Sequence, residues 1–363
     1  MTRLIALHLP QFHPTPENDA WWGAGFTEWT NVTRARPLYK GHNQPHLPAD
    51  LGFYDLRLPE ARQAQADLAR SYGIHGFCYY HYWFNGRQVL NRPVDEIVSS
   101  REPDFPFCLC WANEDWSRAW DGRSKDILLG QVYTEEDDLA HIRFLLPLME
   151  DPRWIRVDGK PLFLVYRAGL LPDPRRTTDL WRTEARRSGI GELHLVKVES
   201  LPEEGLASPE SFGFDSALEF QPRWSDLGPK RRNNAFWRRV NKLGILDGWV
   251  WFRHNVHEYR EFVERQLAAP QPGWDRIPCV VPMWDNTARR ERGGIILDGS
   301  TPELFGHFLS ETLRVKAKRD TATDLVFVNA WNEWGEGNHL EPCRRWGRSY
   351  LEATLRALES YRG

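Results

Sequence analysis

The sequence predicts an α/β fold, a single (β/α)8 barrel. Short apolar runs with β-branched and aromatic residues recur eight times along the 363-residue chain. Stretches whose apolar residues have helical spacing separate these runs, and such alternation is typical of a parallel sheet covered by helices. The sequence contains no Gly-rich phosphate loop, which favours a barrel over a doubly wound sheet. We therefore expect one catalytic barrel domain over residues 1–363.

The predicted elements follow one another in a regular order. The strands are expected at 4–9, 76–80, 107–111, 162–166, 194–198, 216–220, 278–283 and 325–329. The helices are expected at 59–72, 89–99, 135–149, 177–188, 256–268, 302–318 and 349–361. Thr134, Thr177 and Thr301 occupy positions where N-capping residues belong, and Thr134 has a better capping-box register than Thr301.

Two predicted loops are long enough to be insertions. Residues 13–59 are rich in Trp, Pro, Gly and His and are expected to fold over the barrel mouth. Residues 221–251 contain a cluster of arginines, which we interpret as a solvated face. Contact with an acidic or phosphorylated group and contact with a membrane surface are the alternatives. The clustered arginines are Arg231, Arg232, Arg238 and Arg239.

The balance of acidic and basic residues excludes a strong overall electrostatic attraction to polyanions. The 47 basic and 50 acidic residues give a net charge of −3, so nucleic acid is not an expected partner. The apolar run at 4–9 is too short for a signal peptide, and no later run could span a bilayer. We therefore expect a cytoplasmic protein without an integral membrane segment, and the oligomeric state is left open. Five cysteines without C-x-x-C spacing fit a reducing compartment.

Tryptophan is the most informative feature of the composition. The chain has 18 tryptophans, and many stand beside Asn, Asp and Glu instead of within apolar runs. Some of them fill the core, because an indole ring buries a large area. Those in polar stretches predict the walls of a carbohydrate cleft, since a flat indole face suits the C–H face of a pyranose.

The stretch 325–342, LVFVNAWNEWGEGNHLEP, carries the predicted chemistry. A buried strand ends in this stretch and is followed by Glu333 and Glu336, which are flanked by tryptophans and glycines. Two carboxylates in a partly dry setting supply an acid and a base, as a glycosidase requires. The alternative is that both glutamates only begin a helix, where carboxylates favour the positive end of the dipole. We interpret them as the catalytic pair.

Polar and aromatic residues crowd the carboxyl ends of the predicted strands, where barrel enzymes place their sites. Asn113 could instead form a loop-capping turn, and Tyr80 and Tyr82 could only fill the barrel. No H-x-H or H-E-x-x-H spacing appears, so neither a metal site nor a cofactor is expected. The candidate substrate-binding residues are His13, Trp29, Tyr80, His81, Tyr82, Trp83, Trp111, Asn113, Glu114, Trp116, Trp284, Asp285, Asn286, Asn332, Trp334 and His339.

Six motifs in this order resemble those of the WbsX-type, glycoside hydrolase family 99-like proteins. They are HLPQFHP (8–14), GFTEW (25–29), CYYHYWF (78–84), WANE (111–114), PMWDN (282–286) and NAWNEWGEG (329–337), so they span nearly the whole chain. Members of this group are commonly encoded with surface-polysaccharide synthesis and are often labelled glycosyltransferases. Their characterised hydrolase relatives are retaining endo-α-mannosidases with a (β/α)8 fold.

The resemblance also implies roles for the two glutamates. Glu333 would be the base that removes the proton of the sugar 2-hydroxyl, which gives a 1,2-anhydro intermediate. Glu336 would be the acid that protonates the leaving oxygen and later activates water. The residues alone call for one carboxylate of each kind and do not say which is which.

These observations predict a carbohydrate-active enzyme with an oligosaccharide or polysaccharide substrate. The first hypothesis is a retaining glycoside hydrolase that cleaves α-linked sugars, mannoside-like or related, in a bacterial surface polysaccharide. The second is a glycosyltransferase of O-antigen or capsule biosynthesis, which the lack of a D-x-D metal site disfavours. The third is a non-catalytic glycan-binding barrel, which the Glu333/Glu336 pair disfavours.

Overall fold

Nine parallel strands form the central ring of the protein, as seen in a computed structural model. The structure describes residues 2–118, 123–201, 203, 205, 207–231, 239, 250–319 and 323–362. The strands, numbered in chain order, are β1 (Arg3–His8), β2 (Gly76–Phe84), β3 (Phe107–Trp111), β4 (Lys160–Val165), β5 (His194–Val198), β6 (Ser216–Leu218), β7 (Arg276–Ile277), β8 (Cys279–Val280) and β9 (Leu325–Val328). Around the ring they lie in the order β7, β6, β5, β4, β3, β2, β1, β9 and β8.

The ring is completed at Pro278, which separates β7 from β8. Strand β7 pairs with β6 on one side, and β8 pairs with β9 on the other. A proline has no N–H group to donate to a strand ladder, so the seventh predicted strand is split into two short segments. It also begins at Arg276, two residues before the predicted start at 278. With this correction, the predicted barrel of eight strands is confirmed.

Helices cover the ring. Among the described residues they are α1 (Pro16–Trp22), α2 (Glu28–Arg34), α3 (Pro59–Ser71), α4 (Arg92–Ser100), α5 (Glu135–Met149), α6 (Pro174–Arg187), α7 (Val250–Arg253), α8 (Tyr259–Ala268), α9 (Pro302–Ala317) and α10 (Ser349–Arg362). Short strands outside the ring are Arg87–Val89, Trp116–Arg118, Arg123–Leu129, Arg156–Val157, Asn255–Glu258, Trp284–Asp285, Ile295–Asp298, Asn332–Glu333 and Asn338–His339. Residues 232–238 and 240–249 of the second predicted insertion lie outside the described residues.

Three helix starts differ from the prediction. The helix predicted from 89 begins at Arg92, because Arg87–Val89 pairs as an antiparallel strand with β2. The helix predicted from 256 begins at Tyr259 after a short strand. The helix predicted from 177 begins at Pro174, a residue whose fixed φ suits the first helical turn.

Two of the three predicted N-caps are confirmed. The Thr134 hydroxyl accepts a hydrogen bond from the Asp137 amide at 3.1 Å, and the Thr301 hydroxyl accepts one from Leu304 at 3.3 Å. Thr177 was the wrong choice for the third cap. Asp173 fills that role, and Thr177 lies inside α6.

The core fills the ring and the space between the ring and its helices. Strands β2, β3 and β5 are buried along their whole length. All five cysteines are buried and free, so they act as small apolar side chains. In the part of the chain that the structure describes, no helix combines the length and apolar character needed to cross a bilayer.

Candidate active site

A tight hairpin follows β9 and carries both candidate catalytic glutamates. Asn332–Glu333 pairs antiparallel with Asn338–His339, and a short 3-10 turn spans Trp334–Glu336 between them. The Asn332 amide anchors the hairpin to the end of β1, where it accepts from the Leu9 N–H at 2.7 Å and donates to the Leu9 carbonyl at 3.0 Å. Glu333 and Glu336 therefore lie at the carboxyl end of the ring.

Two glycines allow this hairpin to pack closely. A Cβ atom at Gly335 would lie 1.6 Å from the Glu28 carboxylate, so only glycine admits that carboxylate beside the turn. Gly337 has a φ of 56°, and a Cβ there would lie 2.9 Å from the Asp285 carbonyl oxygen. The glycines of the NEWGEG stretch are thus required by close approach and by backbone conformation.

Arg289 is the electrostatic centre of the site. Its Nε lies 2.8 Å from Glu28 Oε1, its second terminal nitrogen lies 3.0 Å from Glu333 Oε2, and its first lies 2.9 Å from Glu336 Oε1. The Glu28 side chain is fully buried, and those of Arg289 and Glu333 are 8% and 9% exposed. The Glu336 side chain is 23% exposed, which makes it the most accessible of the three carboxylates.

Burial and mutual repulsion change the acidity of this cluster. Burial raises the pKa of Glu333 to about 8, against the opposing effect of Arg289. Burial also raises the pKa of Glu336 above its ordinary value, again against Arg289. Although burial favours the neutral form of Arg289, the carboxylates of Glu28, Glu333 and Glu336 hold its pKa above the ordinary value. Glu333 is therefore able to hold a proton near neutral pH, and the pKa of Glu336 is shifted in the same direction.

Both glutamates line a cleft of about 720 Å³ at the mouth of the ring. A volume of this size is typical of a small-molecule site. The sequence-predicted residues that line it are Tyr80, Tyr82, Glu114, Trp116, Trp284, Asn286, Glu333 and Glu336.

Aromatic rings form two of its walls. The Trp116 ring lies 5.2 Å from Tyr82 and 5.4 Å from Trp21, and Trp224 lies 5.3 Å from Trp284. Carboxylates and aromatic faces thus meet in one place.

Four tryptophans predicted to bind substrate do not line the cleft. They are Trp29, Trp83, Trp111 and Trp334, and all are buried with the indole N–H bonded inside the protein. Trp83 donates to Asp137 at 2.9 Å, and Trp334 donates to Glu341 at 2.6 Å. A buried indole that has found its own partner is part of the core, so these rings support the site from behind.

The predicted histidines are also buried away from the cleft. The His13 ring bonds to the Pro10 carbonyl at 3.0 Å, His81 bonds to His141 at 3.0 Å, and His339 bonds to the Glu341 carbonyl at 2.9 Å. Burial lowers the pKa of His81 to about 3. These rings are neutral supports of the barrel mouth.

Three predicted polar residues also serve as supports. Asn113 bonds to the backbone N–H and carbonyl of Arg167 at 2.8 and 2.9 Å, which ties the ends of β3 and β4 together. The Asp285 carboxylate accepts from His42 at 2.6 Å and from the Thr287 hydroxyl at 2.6 Å. Asn332, as described above, binds the end of β1. None of these three side chains lines the cleft.

Several cleft residues were not predicted from the sequence. Two of them, Tyr166 and Phe220, follow β4 and β6, so the rule that site residues follow barrel strands could have identified them. The two tryptophans of α1 stand beside polar residues in the first insertion, so the composition already indicated Trp21 and Trp22 as cleft walls, although they are not among the candidate substrate-binding residues. The other aromatic or charged cleft residues outside that set include Tyr166, Phe220, Trp224, Arg289 and Arg290.

Within the described residues, no group of three or more His, Cys, Asp and Glu side chains is arranged to hold a metal ion. The charges that meet around the two candidate catalytic glutamates are those of Glu28, Glu333, Glu336 and Arg289. Its geometry offers proton transfer between carboxylates and a sugar held against aromatic rings.

Comparisons with known proteins agree with this picture. The protein is 44% identical over 356 residues to the uncharacterized protein WxcX of Xanthomonas campestris pv. campestris strain B100. That match covers 98% of this chain and 49% of WxcX, so the chain spans about half the length of the curated relatives it matches.

Two solved structures share the fold. A GH99 endo-alpha-mannosidase from Bacteroides thetaiotaomicron superimposes with a TM-score of 0.57 at 14% identity, covering 99% of this chain and 97% of that one. A glycoside hydrolase-like protein superimposes with a TM-score of 0.59 at 13% identity, covering 98% and 93%. These similarities support the barrel fold.

The family comparison gives the assignment. The model of the family described as Glycosyltransferase WbsX matches residues 4–354, which include the ring strands from the second residue of β1 onward and the hairpin with both glutamates. The chain therefore belongs to the family described as Glycosyltransferase WbsX.

Proposed function

We propose that the protein is a retaining glycoside hydrolase that cleaves α-linked sugars in a bacterial surface polysaccharide. One observation carries the proposal: a buried and a partly buried carboxylate, both with raised pKa values, share Arg289 and line a cleft with aromatic walls. The fold shared with a GH99 endo-alpha-mannosidase supports a mannoside-like substrate.

In the proposed first step, ionised Glu333 accepts the proton of the sugar 2-hydroxyl. The freed oxygen forms a bond to the anomeric carbon while the bond to the leaving oxygen breaks, and Glu336 gives its proton to that leaving oxygen. A raised pKa makes ionised Glu333 a stronger base, and Arg289 stabilises its negative charge. The product of this step is a 1,2-anhydro sugar.

In the second step, water opens the 1,2-anhydro sugar. Glu336 now removes a proton from the attacking water, and Glu333 returns its proton to the 2-oxygen. The anomeric carbon is inverted twice, so the configuration is retained. Glu336 suits contact with water because its side chain is more exposed than that of Glu333.

The second candidate is a glycosyltransferase, which the description of the family favours. The same carboxylates could pass the sugar to the hydroxyl of an acceptor glycan, because that hydroxyl can take the place of water in the second step. The two functions then differ in the acceptor and share the first step. A glycan-binding barrel without turnover is the third candidate.

The proposal is tested with a panel of defined α-linked oligosaccharides. We expect the purified protein to release a reducing sugar of retained configuration, observed by NMR during the first turnovers. Extension of an added acceptor without release of free sugar would favour the transferase. Binding of the glycans with no product of either kind would leave only the third candidate.

The pH dependence gives an independent prediction. The productive enzyme holds one proton on the Glu333/Glu336 pair, so kcat/KM should fall when the pair gains a second proton and also when it loses its last one. Burial raises the pKa of both groups, that of Glu333 to about 8 from an ordinary 4.5. We therefore expect a bell-shaped profile displaced upward, with the alkaline limb near pH 8. An optimum at or below about pH 5, where ordinary carboxylates titrate, would contradict it.

A further inference from the structure

A second cavity of about 440 Å³ lies beside the cleft and has no part in the chemistry described above. It shares Trp22, Arg289 and Arg290 with the cleft, so the two spaces adjoin. Because many of its lining residues are arginines, we call it the arginine cavity. The arginines are Arg34, Arg36, Arg253, Arg289 and Arg290.

The charges of the arginine cavity are not balanced. Arg289 is neutralised by the three glutamates of the catalytic cluster. Among the residues that the structure describes, the other four arginines form no ion pair with Asp or Glu, and the cavity lining has one carboxylate, Glu291. The Nε–H group of Arg253 donates a hydrogen bond to the backbone carbonyl of Glu291 at 2.7 Å and does not pair with the Glu291 carboxylate. Four guanidinium groups therefore face one carboxylate, which gives the cavity a positive potential.

Two uncharged polar side chains, Asn31 and His254, also belong to the lining. Asn31 Nδ2 and His254 Nδ1 are buried without a hydrogen-bond partner, although buried polar atoms usually have one. His254 is 4% exposed, and burial lowers its pKa to about 4, so the ring is neutral at pH 7 and can carry a proton on Nδ1. Neither nitrogen is open to solvent, and His254 Nδ1 would lie 2.8 Å from a Cβ atom at Gly294, so the arginines alone carry the argument for an anion.

We propose that the arginine cavity binds a phosphate-bearing part of the glycan whose sugar occupies the catalytic cleft. This inference rests on the proposed function, because it takes the substrate to be a glycan. Its ligand is a phosphate or diphosphate group joined to a sugar. The cavity adjoins the cleft through Trp22 and Arg290, so the two parts of one substrate can occupy both spaces.

The number of arginines favours phosphate over a sugar carboxylate. A guanidinium group binds phosphate through two parallel hydrogen bonds, and a diphosphate offers enough oxygens for several such groups. A carboxylate has only two oxygens, and one guanidinium group can bind both, so a sugar carboxylate would leave the other arginines without a partner. The phosphate can come from a diphosphate that links a sugar to a carrier, or from a phosphodiester within a polymer.

Inorganic pyrophosphate is the first probe, titrated into the full chain by calorimetry at low salt. We expect binding that weakens as salt is added, and the double variant Arg34→Gln/Arg253→Gln should bind at least about tenfold more weakly. Arg260→Gln is the matched control, because Arg260 is an exposed arginine of α8 outside the cavity lining. Glucuronate is the carboxylate probe and should bind at least about tenfold more weakly than pyrophosphate.

Two outcomes would overturn the proposal. One is equal affinity of the wild-type protein and the double variant for pyrophosphate, and the other is preference for glucuronate. A sugar 1-diphosphate and a sugar phosphodiester, titrated in parallel, distinguish the two sources by their relative affinities. These titrations measure binding and need no turnover. They therefore test the arginine cavity even if the Glu333 and Glu336 variants show that the proposed chemistry is wrong.

Discussion

Glu336→Gln is expected to lower kcat for α-glycoside cleavage by about 10²- to 10⁴-fold, because glutamine cannot donate a proton to the leaving oxygen. Glu333→Gln should cause a loss of the same order, because glutamine cannot accept the proton of the 2-hydroxyl. Both substitutions keep side-chain volume and remove one charge from the cluster around Arg289. Steady-state kinetics on the best oligosaccharide of the panel measure the effect.

The choice of leaving group separates the two roles. The phenol of an activated aryl glycoside leaves without protonation, so Glu336→Gln should lose far less kcat/KM, which reports the first step, on this substrate than on an oligosaccharide. Its kcat stays low on both substrates if the second step, in which Glu336 activates water, limits turnover. Glu333→Gln should be impaired on both substrates, because the base is needed in each case. The reverse pattern would exchange the roles of the two residues. Glu264→Gln, an exposed position of α8, is the control and should match the wild-type protein.

Local sequence order was sufficient to predict where the two candidate catalytic glutamates lie. Eight apolar runs predicted the ring, and the position of Glu333 and Glu336 after the last strand predicted their location at its carboxyl end. Both statements depend on residues that are neighbours in the chain. The split of the seventh strand was not predicted, because it depends on pairing between distant parts of the chain. Strand β7, before Pro278, pairs with β6, whereas β8, after Pro278, pairs with β9.

The direction of individual side chains was much harder to predict. Trp334 and His339 stand near the candidate catalytic glutamates in the sequence, yet their rings stack on each other with centroids 3.8 Å apart and are buried. In a hairpin, neighbouring side chains point to opposite faces, so closeness in the chain to Glu333 does not place a residue in the cleft. Trp21 and Trp22 reach the cleft from a distant insertion instead.

The role of Arg289 could not be predicted from the sequence for a different reason. It holds residues 28, 333 and 336 together, and no spacing in the sequence connects these positions. The physical reason for its presence is nevertheless general. Three carboxylates that are largely removed from water require a positive charge among them, and arginine can contact all three with separate nitrogens. The need for a cation follows from the chemistry, and its identity follows only from the fold.

Arg289→Met is expected to lower the free energy of unfolding by about 3–5 kcal/mol near pH 8, because it leaves Glu28, Glu333 and Glu336 without a counter-charge. The loss should become smaller in acid. Without Arg289 the pKa values of the carboxylates in the folded protein are higher still, while in the unfolded chain they stay near their ordinary values. The free energy of unfolding therefore falls as the pH rises from the ordinary pKa to the raised one. Urea unfolding at about pH 5 and pH 8 measures the difference.

Arg289→Lys and Arg260→Met separate the effect of charge from that of geometry. Lysine keeps the positive charge, but its single ammonium group cannot reproduce three separate contacts at 2.8, 3.0 and 2.9 Å, so stability should be only partly restored. Arg260→Met removes an exposed arginine and should change the free energy of unfolding by less than about 0.5 kcal/mol. If Arg289→Met unfolds like the wild-type protein at both pH values, Arg289 does not neutralise the carboxylates, and its proposed role in stabilising ionised Glu333 is wrong.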